Sequence, residues 1–112
     1  MPMKLTAEEQ VWLDAYRQTL AQQFPGLIEQ IIIFGSKARG TATTDSDLDL
    51  LVVIKRGDWR LKDAVTQPGY SLAIDQDVVP SIMVYTMEEW EQRRSDEAPL
   101  WQMVNRDGVV VG

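Results

Sequence analysis

The residues best suited to chemistry lie in one short stretch, where Gly35-Ser36 is followed after ten residues by Asp47 and Asp49. An Asp-x-Asp at the start of a strand places both carboxylates on one face, because strand side chains alternate with a period of two. Two such carboxylates repel each other and are costly to bury. A Mg²⁺ or Mn²⁺ ion, which prefers oxygen ligands, would relieve both problems. We therefore predict a divalent-metal site at Asp47 and Asp49.

The Gly-Ser pair offers the other half of such a site, a cradle for phosphates. Gly35 lets the backbone turn sharply and approach a ligand closely, and Ser36 adds a hydroxyl and a backbone N–H. If Lys37-Ala38-Arg39 begins a helical turn, its free N–H groups would point at a bound phosphate. Lys37 and Arg39 would either add positive charge there or face solvent. The predicted nucleotide-binding residues are therefore Gly35, Ser36, Lys37 and Arg39.

A purely structural interpretation of the same stretch is also open. Residues 45–49 would then be a polar loop that leads into a strand, with Asp45 or Ser46 capping it. A lone Asp-x-Asp or a lone Gly-Ser pair is weak evidence of a site. The order of strand, Gly-Ser, short loop, Asp-x-Asp and buried strand is much more restrictive, and it favours the functional interpretation.

The composition limits the chemistry and the partners. The chain of 112 residues has neither cysteine nor histidine, which excludes disulfides, thiolate sites, imidazole bases and His-ligated zinc. Its net charge of −6 disfavours direct binding of nucleic acid, since such proteins are usually basic. There is no apolar run long enough for a membrane span and no signal-peptide core, so we expect a cytoplasmic protein. The length predicts a single domain over residues 1–112.

The flanking sequence predicts the elements that hold this stretch. Thr6 and Glu9 form a capping box at the start of a helix that ends at Pro25-Gly26. Apolar runs predict strands at 31–34, 48–54 and 81–86. Further helices are expected from Trp59, with Asp58 as N-cap, and over 87–94 and 99–105. Pro68-Gly69 leaves open whether the helix after Asp58 is one kinked helix or two short ones.

A last strand or extended tail is predicted at 108–111. This order of helices and strands indicates an α/β (α+β) fold, a small mixed β-sheet flanked by helices.

The motif also resembles that of a known family. Gly35-Ser36, ten residues and Asp47-Leu48-Asp49 resemble the G-S-x10-D-x-D signature of the nucleotidyltransferase superfamily, which has the polymerase-β-like fold. The stretch GSKARGTATTDSDLDLLV is similar to that of the minimal, single-domain nucleotidyltransferases of bacteria and archaea. The resemblance extends over residues 28–111, including the segments 81–90 and 99–109, and is most specific over 35–53.

This resemblance implies a catalytic palm in which Asp47 and Asp49 bind Mg²⁺ or Mn²⁺ and Gly35 and Ser36 hold a triphosphate. It implies transfer of a nucleoside monophosphate, most often AMP from ATP, to an acceptor hydroxyl, with release of pyrophosphate. Some members are antitoxins that modify a partner toxin. The implied partners are therefore a nucleoside triphosphate and either a small helical, toxin-like protein or a second copy of the chain. Trp90 or Trp101, if exposed, would mark that surface. The alternative is that both pack against the sheet edge.

One position departs from the family pattern. The family has a third carboxylate on the next strand, and that position falls at Ser81, which is a poor metal ligand. Asp77, or less readily Asp75, would replace it if the strand register differs. Without a third carboxylate the chain would be a weak or inactive module that binds nucleotide or a partner. A polymerase or tRNA-modifying fragment is a more remote alternative, which the net charge of −6 disfavours.

Overall fold

A computed structural model of the chain describes residues 3–43 and 46–112. The predicted capping role of Asp45 lies outside these residues. In chain order the described elements are α1 (Ala7–Gln23), β1 (Ile28–Phe34), α2 (Gly35–Arg39), β2 (Leu48–Ile54), α3 (Trp59–Ala73), β3 (Pro80–Thr86), α4 (Met87–Ser95), α5 (Pro99–Asp107) and β4 (Val109–Val110).

The strands form a mixed four-stranded sheet in the order β3-β2-β1-β4, which confirms the predicted fold class. The central strand β2 runs parallel to β3 and antiparallel to β1, while β4 runs antiparallel to β1. The first residues of β2 and β3 therefore meet the last residues of β1 at one end of the sheet. We call this the site end, because the Gly-Ser turn and the Asp-x-Asp both lie there.

Helices cover both faces of this sheet. On one face, alternate residues of β2 pack against apolar side chains of α1 and α3, among them Leu13, Tyr16 and Val65. On the other face, Leu51 and Val53 pack with residues of α4 and α5. Burial on both faces explains why β2 is apolar at every position except Asp49. Burying the carboxylate of an acidic residue in such a strand is unfavourable, and apolar packing does not offset the lost hydration.

Helix α3 answers the question that the sequence left open, since it is one helix with Pro68 inside it. Proline lacks the N–H that a helix interior needs, so the carbonyl of Ala64, four residues earlier, loses its usual partner. Two aromatic side chains of α1 donate to carbonyls on either side of the proline. Trp12 Nε1 lies 2.8 Å from the carbonyl oxygen of Gly69, and Tyr16 Oη lies 2.7 Å from that of Val65.

The element boundaries follow the sequence closely, with a few differences. The capping box predicted at Thr6 and the N-cap predicted at Asp58 are both present. Strand β1 begins three residues earlier than predicted, and α5 runs two residues further. The conditional helical turn after Gly35 forms as α2. Within residues 3–43 and 46–112, no helix is long and apolar enough to cross a membrane.

The tryptophans predicted to mark a partner surface are not the exposed ones. Trp90 and Trp101 are both half-buried. Trp90 packs on the sheet beside Tyr85, with 5.6 Å between ring centroids. The strongly exposed tryptophan is Trp59, at 70% exposure. For Trp90, the structure therefore supports the alternative prediction of packing against the sheet.

Candidate nucleotide and metal site

Asp49 is the second residue of β2 and lies at the site end of the sheet. Its neighbours in register are Phe34 on β1 and Ser81 on β3. The side chain is half-buried, and burial raises the pKa of its carboxyl group above the usual value. The negative charge of Asp47 raises that pKa further, while the Arg39 guanidinium lowers it. Asp49 is therefore a carboxylate whose charged form needs a positive partner.

Asp47 lies just before β2 and is exposed to solvent. The sequence predicted both aspartates on one strand face, whereas only Asp49 belongs to the strand. The chain between them is fixed because the backbone N–H of Leu48 donates to the carbonyl of Val79, 2.9 Å away. The effect of Asp47 on the pKa of Asp49 shows that the two carboxylates share one region of the site end.

Gly35 brings the phosphate half of the predicted site against the metal half. Its φ of +74° lies in the left-handed region, which favours glycine. A Cβ atom on Gly35 would lie 2.3 Å from Oδ2 of Asp49, closer than atoms can approach. Only a residue without a side chain therefore fits between β1 and this carboxylate. The two motifs, ten residues apart in sequence, are in direct contact.

The short helix α2 continues from Gly35 and presents Ser36 and Arg39. Ser36 is half-buried, and its carbonyl accepts from the N–H of Thr41 at 3.0 Å, which closes the turn after the helix. Gly40 ends α2 in the left-handed region. Arg39 lies close enough to Asp49 that its positive charge lowers the pKa of that carboxyl group. These positions are compatible with phosphate contacts from Ser36 and Arg39.

The prediction for Lys37 is wrong. Its side chain faces neither a phosphate site nor solvent, since it is 3% exposed and its Nζ lies 3.0 Å from Oε1 of Glu9. The helical turn carries residue 37 away from the sheet end and under the start of α1. Glu9 entered the sequence analysis only as a helix cap. Nothing in the local sequence indicated that its carboxylate also binds a lysine.

Asp107 is a second residue that the sequence analysis missed. It is the last residue of α5, and its Oδ2 lies 3.6 Å from Nη1 of Arg39. Arg106 and Arg39 together hold the pKa of Asp107 below its usual value. Arg39 therefore lies between two acidic groups, Asp107 and Asp49. Pairing across α5 and α2 depends on the tertiary fold, so no local sequence pattern indicated it.

Among the described residues, no carboxylate occupies the position beside Asp49 on β3. Ser81 is the partner of Asp49 in register, which agrees with the position assigned to it from the sequence. Asp77, proposed as a substitute ligand, is exposed and precedes β3 by three residues. Over residues 3–43 and 46–112, no three Asp, Glu, His or Cys side chains gather into a metal-binding group. The parallel register puts Ser81 beside Asp49, and no contact among the described residues supports Asp77 as a metal ligand.

The remaining donor set still fits a hard divalent cation that is shared with a ligand. Mg²⁺ is commonly bound by one or two carboxylates together with substrate phosphates and water. Asp47 and Asp49 supply the carboxylates, and Gly35 lacks the side chain that would collide with that of Asp49. Burial and the charge of Asp47 both raise the pKa of Asp49, so a bound cation would stabilise its charged form.

Comparison with known proteins is consistent with this geometry. Residues 13–98 match the model of the nucleotidyltransferase domain family. A Methanocaldococcus jannaschii protein to which protein adenylyltransferase activity is ascribed is 51% identical over 43 residues. That match covers 38% of this chain and 29% of the relative, so the chain spans much less than the relative's whole length.

Two solved structures share the fold over nearly the whole chain. One is a toxin–antitoxin crystal structure with AMP-PNP, at 23% identity and a TM-score of 0.58, covering 94% of this chain and 72% of that one. The other is a tri-AMPylated Shewanella oneidensis HEPN toxin in complex with its MNT antitoxin. It has 22% identity and a TM-score of 0.54, covering 90% of this chain and 69% of that one. At these identities the likeness shows the fold alone.

Proposed function

The chain belongs to the nucleotidyltransferase domain family, and we propose that it transfers AMP from ATP to a hydroxyl group of a partner protein. The main support is the contact between Gly35 and Asp49, where a Cβ atom would lie 2.3 Å from the carboxylate oxygen. That contact joins a turn suited to phosphates and a carboxylate suited to a cation. A nucleoside triphosphate is a ligand that needs both.

Each residue of the site has a distinct part in this proposal. Asp47 and Asp49 would hold Mg²⁺ or Mn²⁺, which when bound neutralises charge that develops on the phosphates. Gly35 lets the backbone pass close to Asp49, and Ser36 would offer the phosphate chain a hydroxyl and a backbone N–H. Arg39 adds a positive charge on the side of α2. The buried position of Asp49 strengthens its attraction to a cation, since the local dielectric is lower than that of water.

The choice of ATP and of a protein acceptor draws on the relatives. The M. jannaschii relative is ascribed protein adenylyltransferase activity. One structural neighbour holds AMP-PNP, and another is bound to a toxin that carries AMP groups. A partner protein is therefore the acceptor we propose, with a second copy of this chain as the alternative acceptor.

A second candidate function is a module that binds nucleotide or partner without transferring AMP. The specific observation in its favour is Ser81, which occupies the position beside Asp49 where a third carboxylate would lie. With two carboxylates, the site would bind a cation–nucleotide complex more weakly and would lack a base for the acceptor hydroxyl. Turnover, rather than binding, is what separates the two functions.

The test is transfer of label from ATP. The protein is incubated with α-labelled ATP, Mg²⁺ or Mn²⁺, and lysate of its own host, and labelled proteins are identified by mass spectrometry. We expect an AMP adduct that disappears in Asp47→Ala and in Asp49→Ala. Asp77→Ala is the matched control, because this aspartate is exposed, precedes β3 by three residues and is not the partner of Asp49 in register.

Equal labelling by wild type and by both site variants would refute the proposal. A thermal shift with AMP-PNP and Mg²⁺, lost in Asp49→Ala but without any transfer by wild type, would instead support the binding module. Loss of labelling in Asp77→Ala would instead show that Asp77 takes part in the site.

A further inference from the structure

Helix α2 carries the Gly-Ser turn, yet it cannot hold its own position. It has five residues, and isolated helices shorter than about 12 residues are marginal in water. Its first residue, Gly35, must nevertheless lie close beside Asp49, where even an added Cβ would be 2.3 Å from Oδ2 of that carboxylate. Contacts with other elements must therefore fix α2.

The central residue of α2 is attached at two points, one on α1 and one on the segment just before it. The ammonium group of Lys37 lies 3.0 Å from Oε1 of Glu9, and these side chains are 3% and 4% exposed. The backbone carbonyl of Lys37 also accepts from the N–H of Lys4 at 2.9 Å. The same Glu9 oxygen accepts from the N–H of Thr6 at 2.9 Å. One buried carboxylate therefore fixes the start of α1 and the middle of α2 together.

A buried ion pair of this kind is not explained by stability alone. Replacing such a pair with apolar groups of similar size is often neutral or stabilising, because burying charge is costly. What an ion pair adds is a defined orientation of the two elements that carry it, since its hydrogen bonds are satisfied in one arrangement only. Lys37 of this pair directly follows Ser36, so the orientation of α2 that the pair sets also orients the Gly-Ser turn.

The chain contains a second copy of the same arrangement, away from the site. Thr86 and Glu89 form a capping box at the start of α4, and Lys62 lies 2.6 Å from Oε1 of Glu89. This copy is partly exposed, at 26% and 42%. Thr86 lies five strand residues beyond Ser81, about 16 Å from the site end at roughly 3.3 Å per residue. It is therefore an internal control for the buried pair.

We propose that the Glu9–Lys37 ion pair is a positioning device for the nucleotide site, which fixes α2 so that Gly35 and Ser36 are aligned with Asp49. The effect on catalysis rests on the proposed function, whereas the effect on the order of α2 does not. Glu9 and Lys37 are positioning residues and make no contact with nucleotide in this proposal.

The test compares two double variants. Glu9→Gln/Lys37→Met removes both charges of the buried pair, while Gln keeps an oxygen for the N–H of Thr6 and Met keeps much of the lysine stem. Glu89→Gln/Lys62→Met makes the same change at the exposed copy. Single variants such as Lys37→Met leave a buried charge unpaired and are prone to unfolding, so the double variant carries the test.

Two measurements are made on each folded variant. Amide hydrogen exchange reports local opening without any nucleotide, and we expect faster exchange over residues 35–39 in the buried-pair variant only. Label transfer gives kcat/KM for ATP, which we expect to fall by about 10²-fold in that variant, as for a misplacement of about 1 Å. The exposed-pair variant should keep wild-type values at residues 35–39 and in kcat/KM.

Each outcome has a distinct meaning. Unchanged exchange at 35–39 in the folded buried-pair variant would overturn the inference, whatever the activity. Faster exchange with normal kcat/KM would overturn the catalytic part. Faster exchange in a protein whose wild type transfers no AMP would support the positioning of α2 and refute the proposed function. Equal losses in the two double variants would show a general effect of charge removal and would overturn the inference.

Discussion

Replacing Gly35 with alanine is the sharpest test of the site geometry. Its φ is +74°, and the added Cβ would lie 2.3 Å from Oδ2 of Asp49. Two costs are therefore expected, one from the backbone and one from the collision. A left-handed backbone costs an L-residue about 1–2 kcal/mol. Forcing extra volume into a packed site costs typically about 1–3 kcal/mol more.

Gly26 separates these two costs. It has the same φ of +74°, but a Cβ there would have no heavy atom within 4 Å. Gly26→Ala should therefore carry the backbone cost alone. The loss of unfolded-state freedom is similar for both substitutions, so the difference between them reports the collision. We expect Gly35→Ala to be less stable than Gly26→Ala by about 1–3 kcal/mol.

Urea unfolding measures this difference. With a denaturant slope of about 1–3 kcal/mol/M for small proteins, the two midpoints should differ by roughly 1 M. The cause is tested by repeating Gly35→Ala in an Asp49→Ala background, where the nearest remaining atom of residue 49 would be its Cβ at 3.5 Å. The excess cost should then vanish. An equal cost of the two glycine substitutions, or an excess that survives in the Asp49→Ala background, would refute the contact between the two motifs.

Three further predictions concern single side chains. Ser81→Asp puts a third carboxylate beside Asp49 in register. Calorimetry should therefore show tighter Mn²⁺ binding, and urea unfolding should show that the metal-free protein is less stable. An unchanged affinity for Mn²⁺ would contradict the register. Tyr16→Phe leaves a buried carbonyl of α3 without its 2.7 Å donor and should cost about 1–3 kcal/mol in urea unfolding, whereas no loss would contradict that bond. The hydrogen bond from Lys62 lowers the pKa of Glu89, so its contribution is complete above the unfolded pKa of about 4.3 and is lost as pH falls through the folded value. In acid, the free energy of unfolding of wild type should therefore fall by more than that of Glu89→Gln. The difference should be less than about 1 kcal/mol for this partly exposed pair. Parallel profiles of stability against pH would contradict the prediction.

Much of the fold was predictable because local signals and burial agree. The run 48–54 is apolar on both faces, so its limits as a strand coincide with its limits in sequence. The capping boxes at Thr6 and Thr86 use residues three apart, and such short-range geometry is independent of the rest of the fold. The start of β1 was missed because residues 28–30 include Glu29 and Gln30, which hide the strand pattern.

The side-chain pairing within the site was less predictable. Lys37 could be placed on a turn, but its direction depends on how α2 packs under α1, which no short-range pattern specifies. Asp77 looked acceptable because a register shifted by four residues would put it in the place of Ser81. The register is set by the whole of β2 and β3, from Leu48 opposite Pro80 to Ile54 opposite Thr86. Sequence reasoning therefore found the motif residues more reliably than their partners.

The serine beside Asp49 has a consequence for how a cation would be bound. A third carboxylate at residue 81 would face two others at a half-buried sheet end, where like charges repel strongly without a cation. Ser81 avoids that repulsion, but among residues 3–43 and 46–112 it leaves the cation the two carboxylates of Asp47 and Asp49. The missing oxygen ligands would have to come from phosphates and water, as is usual for Mg²⁺. If the chain transfers AMP as proposed, cation and nucleotide should therefore bind cooperatively, with each raising the affinity for the other by the same factor.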